Sequence, residues 1–216
     1  MPELEQRRLG AASPISLDRR KLLPRSFYLD SPDVVARKLL GKVLVRRTAE
    51  NSDVAGRIIE VEAYFAGADP AAHAFTGQTA RNAVLFGPPG HAYVYFIYGM
   101  YYCLNVSCEP EGQAGCLLIR ALEPLTGLDE MAKRRWSGKR AMRPVERTSG
   151  LTSGPGRLCQ AFGITRARHN GADLTSKLSE LQIHDDGFAA GQVVVTKRIG
   201  IRKAADLMAR FVLASQ

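Results

Sequence analysis

"RIIEVEAYFAGADPAAHAF", residues 57–75, changes its chemistry halfway along. As far as Phe65 it is rich in β-branched and aromatic residues and alternates with a period of two, which predicts a strand over residues 57–65. Side chains alternate across a strand. Ile59, Val61, Ala63 and Phe65 therefore share one face, and Glu60, Glu62 and Tyr64 share the other. An apolar face against a polar one belongs to an antiparallel sheet that covers a core on one side only. Beyond Phe65 come Ala71 and Ala72, small residues that allow close backbone approach, and then His73, whose imidazole titrates near neutrality.

The same reading extends in both directions. Strand-like runs rich in Val, Ile, Tyr and Phe occur at residues 42–46, 91–98, 101–108, 116–122 and 192–197. Residues 110–114 are few enough to join two of these runs as a hairpin. Ser31-Pro32 opens a helix that Gly41 ends, with Ser as the cap and Pro in the first turn. Thr126 with Asp129 suggests the cap of a second helix running to Arg135. Further helices are expected at 155–162, closed by Gly163, and at 203–211. Strands grouped in the middle with helices outside them give an α+β domain with a largely antiparallel sheet. The chain reads as one domain over residues 21–216, preceded by a polar segment, 1–20, that is expected to be flexible.

Composition narrows the partner. Lys and Arg number 30 against 21 Asp and Glu, a net charge of +9, which favours a polyanion and nucleic acid above all. The run from Lys133 to Arg147 is the densest basic segment and is a candidate for facing that partner. No stretch approaches the roughly 20 apolar residues of a membrane span, and the N-terminus lacks the apolar region of a secretion signal. The expected location is therefore cytoplasmic, or nuclear in a eukaryote. Cys103, Cys108, Cys116 and Cys159 lack the paired spacing of a zinc site and read as free thiols.

Five tyrosines fall within the ten residues from Tyr93 to Tyr102. Tyr93 and Tyr101 suit a core, whereas Tyr98 precedes Gly99 at a turn, where its ring would project. Aromatic rings beside a basic surface are what base stacking requires. Leu118 and Arg120 share a face at the end of the 116–122 strand. A carboxylate, an arginine and stacking rings can together hold a base and activate a water.

The segments EVEAY, AAH, QTARN, YVYFIYGMYYCLN, LLIRALEPL, SGPGRLCQAF and RIGI together resemble the alkyladenine (3-methyladenine) DNA glycosylase family, in order and with its spacing, over residues 23–202. The resemblance implies a single compact α+β domain around a curved antiparallel sheet. It implies a monomer that uses no metal or cofactor and acts on damaged double-stranded DNA. Such an enzyme turns a damaged purine (3-methyladenine, hypoxanthine or ethenoadenine) out of the duplex and hydrolyses its N-glycosidic bond in base excision repair. Carried over residue by residue, Glu62 is the general base and Arg120 helps hold the attacking water. Tyr98 enters the duplex where the nucleotide leaves. Tyr64, Ala71, Ala72, His73 and Tyr95 form the base pocket. Asn105 opposes the guanine 2-amino group, Leu118 lines the cavity, and the backbone carbonyl of Ile199 completes the water site. Glu60 shares the face with Glu62, but the resemblance gives it no catalytic role. No lysine nucleophile is evident, so hydrolysis without lyase chemistry is expected. Two rival readings are a base-flipping binder that does not cut, which would not need Glu62 and Arg120, and a nucleosidase, which would not need Tyr98 or the basic surface.

Overall fold

The computed structural model describes residues 20–48, 53–136 and 150–214. The expected flexible segment 1–20 lies, apart from Arg20, outside the described residues, as does most of the basic run after Trp136. Among the described residues nine strands form one sheet: β1 (Lys21–Leu22), β2 (Val43–Arg46), β3 (Val54–Tyr64), β4 (Ala92–Ile97), β5 (Tyr101–Cys108), β6 (Gly115–Thr126), β7 (Leu181–Asp185), β8 (Val193–Lys197) and β9 (Met208–Leu213). The helices are α1 (Pro32–Leu39), α2 (Ala83–Phe86), α3 (Leu128–Trp136), α4 (Pro155–Phe162) and α5 (Arg166–His169).

Every strand pairing is antiparallel, in the order β1-β7-β2-β3-β6-β5-β4. The long strand β3 organises the sheet. Its first half pairs with β2 and its second half with β9, which also pairs with β8, while β6 runs along its other edge. Register shifts on the two sides of Glu60 leave Ile59 unpaired on β3 and Arg120 unpaired on β6, and such bulges bend a strand and increase its twist. The sheet curls into a half-barrel, so the fold is α+β as expected.

Alternation then sorts the two faces. Val61, Ala63, Val94, Leu104, Val106, Leu117 and Ile119 point into the main core with Leu39 of α1 and Leu158 and Phe162 of α4. The opposite face carries a row across four strands, in which Glu62 pairs with Leu118, Leu118 with Asn105, and Asn105 with Tyr93. All four cysteines are free and buried.

Several expectations are corrected. The core residue near the bulge is Ile58, not Ile59, because the bulge breaks strict alternation. Thr126 ends β6 rather than capping α3, which follows Gly127 with its φ of 76°. Residues 203–211 do not form a helix: residues 201–207 are irregular, and 208–213 form β9 between β3 and β8. Tyr101 is exposed rather than core. Ser31 and Pro32 do open α1, but the Ser31 hydroxyl bonds to Asp33 rather than to a backbone N–H.

Candidate active site

The row on the open face ends at Glu62, whose side chain is fully buried. An unpartnered carboxylate there would be very costly, and three donors meet it. The Tyr64 hydroxyl donates to Oε2 at 2.9 Å, the backbone N–H of Ile199 donates to Oε1 at 2.8 Å, and Arg120 Nη1 lies 3.2 Å from Oε1. Burial, reinforced by Glu62, pushes the Tyr64 phenol well above its usual range, so it stays a donor. Arg120 reaches a second carboxylate as well: its Nε–H donates to Glu60 Oε1 at 2.8 Å. The same oxygen accepts the Nε–H of Arg210, from β9, at 2.6 Å.

Two loops close over this end of β3, and one buried ion pair joins them. Asp69 accepts the N–H groups of Phe65 and Ala71, and Arg198 grips it with both Nη atoms. Arg198 also donates to the carbonyl of Ala63 and lies 4.5 Å over the Tyr64 ring. That bond holds the segment after β8 in place, which is how Ile199 reaches Glu62. Ile199 thus meets Glu62 through its backbone N–H.

Beside Glu62 lies a cavity of about 100 Å³ lined by Tyr64, Ala71, His73, Tyr93, Tyr95, Asn105, Cys116 and Ile201. That is far below the roughly 300–1,000 Å³ of sites for larger ligands, so it suits one ring system rather than a whole nucleotide. His73 and Tyr95 stand edge to face at 4.5 Å, and His73 Nδ1 lies 2.9 Å from the Tyr93 hydroxyl. His73 is exposed at the mouth, yet partial burial and then Arg81 lower its pKa, which favours the neutral ring. Asn82, in the QTARN segment, donates to the carbonyls of His73 and Gly77 and so shapes the loop that carries the histidine.

The structure therefore gathers Tyr64, Ala71, His73, Tyr95 and Asn105 around one cavity next to Glu62 and Arg120. Leu118 sits in the row between Glu62 and Asn105 but does not line the cavity, and Ala72 closes a turn onto Asp69. Sequence reasoning missed Tyr93, Cys116, Ile201, Asp69 and Arg198. A signal existed for three of these: Arg198 and Ile201 belong to the RIGI segment, and Tyr93 opens the YVYFIYGMYYCLN segment.

Tyr98 belongs to the hairpin that carries Tyr95 and Asn105. It has a φ of 51° and Gly99 one of 67°, in a turn closed by the Met100 N–H on the Ile97 carbonyl. Positive φ at both central residues suits a tight hairpin, and it leaves the tyrosine ring 82% exposed. Arg135 and Arg157 line a groove of about 770 Å³ at the base of this hairpin, which also includes Tyr98 and Tyr101.

Comparison with known proteins gives a consistent result. The family model described as Methylpurine-DNA glycosylase (MPG) matches residues 26–216. A Koribacter versatilis protein named "Putative 3-methyladenine DNA glycosylase" is 53% identical over 199 residues, covering 92% of this chain and 93% of its own. Proteins of the same name from Burkholderia cenocepacia and Methanoculleus marisnigri are 46% and 47% identical. They match over 86% and 88% of this chain and 84% and 94% of their own.

Proposed function

The chain belongs to the methylpurine-DNA glycosylase family, and from that premise we propose that it is a monofunctional hydrolase that flips alkylated or deaminated purines out of duplex DNA and cuts their N-glycosidic bond with a water activated by Glu62. The observation that carries this reading is a buried carboxylate, oriented by three donors, beside a cavity of base size. A base in a duplex is out of reach, and extruding it costs a few kcal/mol. Tyr98, exposed at its turn, offsets part of that cost by entering the space the nucleotide leaves. The extruded purine stacks against Tyr95 and His73. Glu62 takes a proton from water as the oxygen attacks the sugar carbon, Arg120 holds that water, and the bonding pair leaves with the base. A cationic lesion such as 3-methyladenine departs neutral, so one carboxylate suffices where glycosidases usually employ two. Among the described residues no lysine lines the cavity, which favours hydrolysis over lyase chemistry. The protein acts as a monomer on damaged DNA, without metal or other cofactor.

Duplexes carrying one 3-methyladenine, hypoxanthine or ethenoadenine test this. Incubation should give strand cleavage only after alkali. Cleavage without alkali would indicate a lyase, and tight lesion binding with no cleavage would favour the non-cutting binder.

Tyr98→Ala should lower the flipped population by about 10- to 100-fold, equivalent to the roughly 1–3 kcal/mol that one stacked base contributes. Stopped-flow fluorescence of an ethenoadenine duplex reads this directly, and the penalty should shrink opposite a mismatch. An unchanged flipping equilibrium in folded variant protein would assign the wedge elsewhere. Asn105, buried and donating to the carbonyl of Tyr93, is fixed at the cavity wall. Asn105→Ser should admit guanine partially, since steric discrimination of this kind is worth about 1–3 kcal/mol. Unchanged guanine rejection with normal hypoxanthine excision would remove that role.

A further inference from the structure

Glu60 does not behave as a bystander on an outer face. Its side chain is only 17% exposed, and its Oε1 accepts two arginine Nε–H groups, from Arg120 on β6 and Arg210 on β9. Arg210 is itself the register partner of Glu62 and donates through Nη1 to the Thr196 hydroxyl. Arg120 is thereby shared: Nε is on Glu60, and Nη1 is on Glu62.

A guanidinium is rigid and planar, so fixing Nε fixes the direction of both Nη groups. Left free, it prefers to close a two-pronged pair on one carboxylate. Such a pair on Glu62 would take up the oxygens that must receive the proton from water. Resting on the reading above, we propose that Glu60 is a positioning residue: it withholds Arg120 Nε from Glu62, so that only Nη1 meets the general base. The register around Glu60 suits this, because Arg120 is left without a partner on β3 between the pairs Glu60–Ala121 and Val61–Ile119, while Glu60 and Glu62 keep a regular pairing with β9. Arg210 neutralises Glu60 in turn, so the two carboxylates are matched by two guanidiniums.

The test is single-turnover excision of hypoxanthine by the full chain, with lesion-duplex affinity measured alongside. Glu60→Leu removes the acceptor and should slow excision by about 10²-fold, the scale of a small misplacement at a reacting centre, with affinity nearly unchanged. Glu60→Gln keeps an acceptor oxygen for Arg120 and should recover most of that rate. In an Arg120→Met background Glu60→Leu should have almost no further effect, because residues that act through one another are not additive. Normal excision by Glu60→Leu, or full additivity with Arg120→Met, overturns the proposal. So does a loss of equal size in Arg210→Met, which would mean that Glu60 merely ties β9 in place. If Glu60→Leu does not fold, Glu60→Met decides. It keeps the length of the side chain without an acceptor, so a near-normal rate refutes the idea and a loss of about 10²-fold that Glu60→Gln does not share supports it. Wild-type excision that vanishes in Glu62→Gln, beside an unaffected Glu60→Leu, would sink this inference alone. An absence of excision by the wild type would sink the function beneath it.

Discussion

Glu62→Gln should slow excision by about 10²–10⁴-fold, the usual contribution of a general base, while lesion-duplex binding stays close to wild type. The amide has the shape of the carboxylate. Its oxygen can still accept the Ile199 N–H and face Arg120, and its NH₂ can meet the Tyr64 hydroxyl where Oε2 now lies. What it lacks is the capacity to take a proton from water. Single-turnover kinetics isolate that step from product release, and fluorescence of an ethenoadenine duplex shows whether flipping survives. A glutamine variant that excises hypoxanthine at the normal rate would remove the water-activation role and, with it, the central claim about this site.

The second large effect is on stability. Asp69→Ala should destabilise the fold by about 3–5 kcal/mol, because removing one partner leaves the other as an uncompensated buried charge. Asp69 and Arg198 are almost wholly buried, and Arg198 would keep only the Ala63 carbonyl, the Tyr64 ring and a marginal contact to Ala204. At about 2–4 °C per kcal/mol for a chain of this size, Tm should fall by roughly 6–20 °C. Asp206→Ala removes the acid of the neighbouring but exposed Lys197–Asp206 pair and should leave the melt unchanged. Equal small shifts in both variants would show that the buried pair is no more important than the surface one.

Much of this could be read from the chain. Alternation in residues 57–65 places Glu62 on the face opposite Val61 and Ala63, and it does so without knowledge of any neighbour. The turn at Tyr98-Gly99 was likewise local, since it depends on two adjacent residues. What could not be read was set by distant contacts. KAADLMARF carries the helix propensity of Ala, Leu and Met, but Ala209 and Phe211 are buried by pairing with β3 and β8, so tertiary packing overrides the local preference. The bulge at Glu60 depends on the register of β6 and cannot be seen in β3 alone. Asp69 and Arg198 lie 129 positions apart, and neither looks like a partner of the other until the two loops meet.

The burial of the four cysteines bears on how the protein withstands its own circumstances. Methylated purines are made by electrophiles, and a thiolate is a better target for an electrophile than a purine is. It is the thiolate, not the thiol, that reacts. Burial pushes Cys103 up to about 11 and Cys116 up to about 12, and it raises Cys108 and Cys159 well above the ordinary thiol range. At neutral pH such a thiol is ionised far less than the few per cent of an ordinary cysteine. Cys116, although it borders the cavity into which a damaged base would fit, is therefore a poor trap for a methyl group. The electrophiles that create the lesion should therefore react slowly with the sulfurs of this protein, and mass spectrometry after treatment with a methylating agent checks it.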